Sequence, residues 1–117
     1  MKALERDISH AIRLASSQIP GLTLWRQNVG VATTADGRKQ RFGLCVGSSD
    51  LIGILNPSGR FVAVEVKTST GRIRPEQEMF LALVRRSGGI AFVARSVDDF
   101  LLGMRPHIVD ACVKKED

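Results

Sequence analysis

Tyrosine is missing from the 117-residue chain, and one tryptophan and five phenylalanines make up an aromatic share of only 5%. So few rings rule out a stacking platform interleaved with basic residues, the kind that grips single-stranded nucleic acid. The simplest place for Trp25 and the phenylalanines is a core. Cysteine is scarcer still: Cys45 and Cys112 are too few and too far apart for a zinc motif or a disulfide framework, and read as free thiols in a reducing compartment. His10 and His107 have no carboxylate or cysteine at ligand spacing and are expected in solvent. The longest apolar run, Met79 to Val84, is far shorter than the ~20 residues that span a bilayer, so no membrane partner is expected. The charged start Met1-Lys2-Ala3-Leu4-Glu5-Arg6-Asp7 lacks the apolar segment of a secretory signal, which points to a cytoplasmic protein.

What the chain has is positive charge. Seventeen lysines and arginines against twelve acids give a net +5, and most of the basic residues are arginine, whose planar fork matches phosphate. A polyanion is the natural partner. The length fits one domain over 1–117, with a core at about 4–104 and a frayed tail at 105–117.

Apolar residues at Leu4, Ile8, Ala11, Ile12, Ala15 and Ile19 recur at helical steps, predicting a helix over 3–18 that stops before Pro20-Gly21. Leu22 to Thr34 holds one strand or two, followed by the turn-like Ala35-Asp36-Gly37-Arg38. Leu51 to Leu55 and Phe61 to Lys67 read as strands joined by Asn56-Pro57-Ser58-Gly59, the pattern of a type I turn, which makes them a hairpin. Pro75 opens a second helix that Gly88-Gly89 stops. Ile90 to Ala94 is a short strand, and Ser96-Val97-Asp98-Asp99 caps a last helix to about Met104. The strand, helix and strand over 61–94 should place two strands parallel through a right-handed crossover. The fold class is α/β, a mixed central sheet flanked by helices.

Chemistry concentrates in Phe61-Val62-Ala63-Val64-Glu65-Val66-Lys67. A period of two puts Val62, Val64 and Val66 on one face and Glu65 with Lys67 on the other. If the turn closes symmetrically, partner numbers sum to 115 and Asp50 lies across from Glu65; a loop one residue different would move Asp50 off that face. Facing carboxylates have side-chain origins ~5 Å apart and repel unless something positive sits between them. Oxygen ligands so placed suit Mg²⁺ or Mn²⁺, although Lys67 can neutralise the pair instead and Asp50 can simply close a turn. Arg72 and Arg74 precede the N-terminus of the second helix, a good place for DNA phosphate. Arg38, Lys39 and Arg41 form a second basic cluster without an assigned role.

Asp50, the step to Glu65, then Val66 and Lys67 resemble the D…ExK signature of the PD-(D/E)XK nucleases. Gly47-Ser48-Ser49 before Asp50, with Gln77 and Glu5, makes the chain similar to the VRR-NUC domain (virus-type replication-repair nuclease) in its stand-alone form. One departure is Ser49, where the family usually has proline. The resemblance implies a restriction-endonuclease-like core in the order αβββαβ. It also implies that Asp50, Glu65, the Val66 carbonyl and Glu5 bind the metal, with Glu5 reaching it directly or through water. By the same resemblance Lys67 orients or activates the attacking water, and Gln77 steadies Lys67 or the scissile phosphate. Both last residues have plainer roles open to them: Glu5 favours a helix dipole, and Gln77 can bond back to its helix entry.

The function so implied is a metal-dependent deoxyribonuclease resembling Holliday-junction resolvases and acting as a homodimer on four-way DNA in a bacterial or phage-infected cell. The competing readings are a repair or restriction endonuclease with another DNA preference and a non-catalytic double-stranded nucleic-acid-binding module. The latter wants lysines where the second helix begins, whereas this helix starts Pro75-Glu76-Gln77-Glu78.

Overall fold

The computed structural model describes residues 3–28 and 30–116, with side chains through residue 108. The side chain of Cys112 therefore lies outside the described residues, while Cys45 is an exposed free thiol. Helix α1 (Glu5–Ser16) turns Ile8 and Ile12 inward. Strand β1 (Leu22–Arg26) follows, then β2 (Gly30–Thr33), β3 (Lys39–Phe42), β4 (Leu51–Leu55) and β5 (Arg60–Val66). Helix α2 (Pro75–Arg86), strand β6 (Ile90–Ala94) and helix α3 (Val97–Glu116) complete the order.

The main sheet has the order β1-β4-β5-β6. Its first two pairings are antiparallel and the last, β5 with β6, is parallel, so the sheet is mixed. The period of two divides β5 cleanly. Val62, Val64 and Val66 pack with Ile8 and Ile12 of α1 and with Phe100 and Met104 of α3. Ala63 on the other face packs with Phe80, Leu81 and Val84 of α2. Gly53 lets β1 and β4 run this close, since a Cβ there would collide with the Thr23 carbonyl oxygen.

Five expectations need correction. Lys39–Phe42, where the sequence pattern assigns the basic cluster no element, is a strand, paired with Gly30–Thr33 into a separate two-stranded sheet inserted between β1 and β4. All four of its residues are exposed, so no apolar alternation marked it. The turn at 56–59 is not type I: the Asn56-Pro57 peptide is cis, and the Gly59 N–H donates to the Leu55 carbonyl at 2.7 Å. The last helix does not stop near Met104 and leave a frayed tail but continues through Pro106, which removes a single backbone donor.

Finally, the aromatics are only partly core. Phe100 and Phe80 are buried, whereas Trp25, Phe42 and Phe61 are exposed. Helix α2 packs mainly on β5 and β6, and Trp25 of β1, Ile54 of β4 and Phe61 near the β4–β5 turn stay exposed on that side of the sheet. His107 is likewise not simply solvated, because its Nδ1 lies 3.1 Å from Arg60 Nη1.

Candidate active site

Strand β5 carries Glu65 and Lys67 on the α2 face at the end of a strand buried on both sides, and the two are 1% and 9% exposed. The register across the hairpin pairs Leu55 with Arg60 and Leu51 with Val64, so partner numbers sum to 115 along the whole ladder. Asp50 stands one step past its end, opposite Glu65. The loop leading to Asp50 rests on α2. Gly47 there has φ +88°, and a Cβ would strike the carbonyl oxygen of Glu76.

Asp50 is held by main-chain groups on both sides. Its carbonyl accepts from the Gln27 N–H at 2.7 Å, and its Oδ2 accepts from the Val66 N–H at 3.3 Å. Because the N–H and C=O of a strand residue point the same way, the Val66 carbonyl also emerges on the Asp50 side. The next N–H, that of Lys67, turns to the other neighbour and donates to the Ala94 carbonyl at 3.1 Å.

Gln77 bonds back to its helix entry and, instead of Lys67, holds Glu65. The Arg74 N–H donates to its Oε1 at 2.9 Å, fixing the helix entry, while its Nε2 donates to Glu65 Oε2 at 3.3 Å. Lys67 Nζ sits 3.9 Å from the same Oε2, so the ammonium flanks the carboxylate. The other oxygen, Glu65 Oε1, is buried with no hydrogen-bond donor among the described residues.

Burial pushes the Glu65 carboxyl up from about 4.5 to about 8, with the nearby Asp50 adding to the rise. Lys67 opposes the shift, and Glu5 contributes a little more in the same direction. The site is thus acid-rich beyond what one ammonium offsets.

Glu5 lines a cleft together with Asp50, but it does not complete a ligand cage: the described residues contain no cluster of three His, Cys, Asp or Glu able to hold a metal. The protein oxygens that converge are those of Asp50, Glu65 and the Val66 main chain. Two carboxylates and a carbonyl fit a hard cation that retains most of its water, and an unpartnered buried carboxylate oxygen is what such a cation would occupy. Arg72 and Arg74 are exposed at the entry to α2, with Arg74 Nε 3.4 Å from Glu76 Oε1. Neither is hydrogen-bonded or ion-paired to the acids among the described residues.

Sequence reasoning passed over Arg95. Its Nη1 donates to the carbonyls of Thr68 and Gly71 at 2.6 and 2.7 Å, fastening the loop that follows Lys67, while Asp99 Oδ2 accepts from its N–H at 2.9 Å. Ser49, at the position of the departure from proline, is fully buried, and its Oγ has no hydrogen-bond partner among the described residues.

A family model for the VRR-NUC domain matches residues 33–98, more than half of the chain. The span includes Asp50, Glu65, Val66, Lys67, Arg72, Arg74 and Gln77 and leaves out Glu5 on α1. No curated protein matches the sequence.

Proposed function

The chain belongs to the VRR-NUC domain family of nuclease-type domains, and from that premise we propose that it is a divalent-metal-dependent endonuclease hydrolysing phosphodiester bonds in branched DNA, with Holliday-junction resolvase-like activity. The observation that carries this reading is the buried Oε1 of Glu65, without a hydrogen-bond partner among the described residues, on a strand whose register sets Asp50 opposite. Asp50, Glu65 and the Val66 carbonyl would hold Mg²⁺ or Mn²⁺, which when bound polarises the phosphoryl oxygen and lowers the pKa of water.

The remaining work falls to the chain. Gln77 fixes the orientation of Glu65 through one oxygen and is itself fixed by the Arg74 main chain, so the carboxylate is positioned before substrate arrives. Lys67, projecting from the same strand face, orients the attacking water and offsets negative charge as it develops on the phosphoryl group. Glu5 reaches the site through water. The loop fastened by Arg95 keeps Lys67 and the entry to α2 in fixed relation.

Arg72 and Arg74 meet the DNA backbone at the N-terminus of α2. Changing both to alanine is expected to reduce the magnitude of the slope of log affinity against log salt by about two, roughly one per lost phosphate contact. Filter binding over a salt series reads it, and an unaltered slope places the DNA elsewhere.

A four-way junction needs two cuts and the chain carries one acidic pair, so two copies act together. Support for self-association comes from the apolar surface over β1, β4, β5 and α2, where Trp25, Ile54, Phe61, Met79 and Leu83 are exposed. The deciding experiment offers labelled four-way, flap and linear duplexes with Mg²⁺, Mn²⁺ or chelator. Cutting of the four-way substrate only with metal is the expected result. Cleavage that persists in chelator defeats the metal assignment, and no cleavage of any substrate defeats the activity.

A further inference from the structure

A cleft of about 290 Å³ opens between α1 and the end of β1, lined by Glu5, Arg6, Ser9, Arg13, Arg26 and Asp50. Half of the lining is arginine, two from α1 and one from the end of β1. Arg6, Ser9 and Arg13 are spaced by three and four along α1, which puts them on one stripe beside the buried Ile8 and Ile12. Arg26 ends β1 opposite Leu51, next to Asp50.

These guanidiniums have no anionic partner among the described residues. None of the three forms an ion pair among the described residues, although two carboxylates line the same cleft. Asp50 already accepts from the Val66 main chain. Arg13 is the sharpest case, for its Nε is buried with no hydrogen-bond partner among the described residues. A donor left in that state is costly, and the cost is recovered when an acceptor arrives with a ligand. The ligand that answers several forked, permanently charged donors at once is a phosphate.

We propose that this cleft seats a second DNA phosphate, separate from the one being cut, and so sets which bond reaches the Asp50–Glu65 pair. The inference rests on the nuclease reading. Its ligand is either an internal diester of the cleaved strand or a terminal phosphate at a nick or end, and both present the same oxygens to the arginines. Because the cleft includes Asp50 itself, a phosphate held there lies beside the reacting one and fixes the register of the strand.

Two measurements decide it. In the metal-free, DNA-free protein, inorganic phosphate should shift the Arg13 Nε–Hε NMR resonance saturably, and the shift should vanish in the Arg6→Ala/Arg26→Ala variant with an unchanged far-UV spectrum. In single-turnover cleavage, Arg13→Gln should raise KM about tenfold, with the larger share of its effect in KM rather than kcat, and Arg13→Lys should restore it only in part. Neutral methylphosphonate links placed one at a time around the cut, and substrates with or without a 5′-phosphate, should reproduce the loss at one position and identify the source. A flat phosphate titration, or KM indifferent to Arg13 and to every substituted phosphate, overturns the proposal while metal-dependent cutting stands. If no DNA is cut at all, the activity fails and the NMR titration still judges the cleft.

Discussion

Glu65→Gln is expected to slow cleavage at saturating Mg²⁺ by roughly 10³-fold or more, about 4 kcal/mol of transition-state stabilisation, while leaving DNA affinity largely unchanged. The substitution preserves volume in a site where Glu65 is 1% exposed, so no cavity forms. Gln77 Nε2 still finds an amide oxygen where it now meets Oε2. What disappears is one of two negative ligands, and a hard cation held by so few protein oxygens depends on both. Because Glu65 is buried and the amide keeps the Gln77 contact, the surface offered to DNA is unchanged and affinity changes little. Calorimetric titration with Mn²⁺ should show the metal affinity falling in parallel with the rate. Undiminished cutting would remove Glu65 from the mechanism, and lost cutting with normal metal binding would reassign it to positioning.

The acidic pair was legible because β-strand periodicity and hairpin arithmetic are local rules. Val62, Val64 and Val66 declared one face of β5, leaving Glu65 and Lys67 on the other, and one symmetric closure sufficed to bring Asp50 opposite. That closure held although the turn itself is built differently, since the numbers of paired residues depend on loop length and not on turn type. Elements without an apolar signal were not legible. Lys39-Gln40-Arg41-Phe42 pairs with Gly30–Thr33 while fully exposed, so nothing in its hydrophobic pattern separates it from a basic loop.

Trp25 shows a further limit. Its burial depends on which strands α2 covers, a matter of how helix and sheet are placed relative to each other. Arg6 and Arg13 sit at helical spacing that is visible in the sequence, but their relation to Arg26 and Asp50 exists only once α1 crosses the end of β1. Arg95 is a similar case, because the carbonyls of Thr68 and Gly71 that it holds belong to a loop with no local pattern of its own.

The cost of assembling two acids in a buried site should appear directly in the stability of the metal-free protein. In the folded chain Glu65 keeps its proton up to about pH 8, while in the unfolded chain it releases it near 4.5. Between these values the unfolded state binds fewer protons, so stability falls as pH rises. The contribution is complete below pH 4.5 and lost once pH passes through 8. At about 1.4 kcal/mol per unit of displacement, the wild type in chelator should lose on the order of 3 kcal/mol relative to Glu65→Gln between pH 5 and 8. For a domain of this size that is roughly 10 °C in the difference between their melting temperatures. Taking the difference cancels the shared groups that do not interact with Glu65, and Mn²⁺ added at pH 8 should raise the wild type and not the variant. Melting curves that run parallel across this interval would show that Glu65 ionises as an ordinary carboxylate. In that case the acids do not face each other out of water, and the cation they were to share has no reason to bind there.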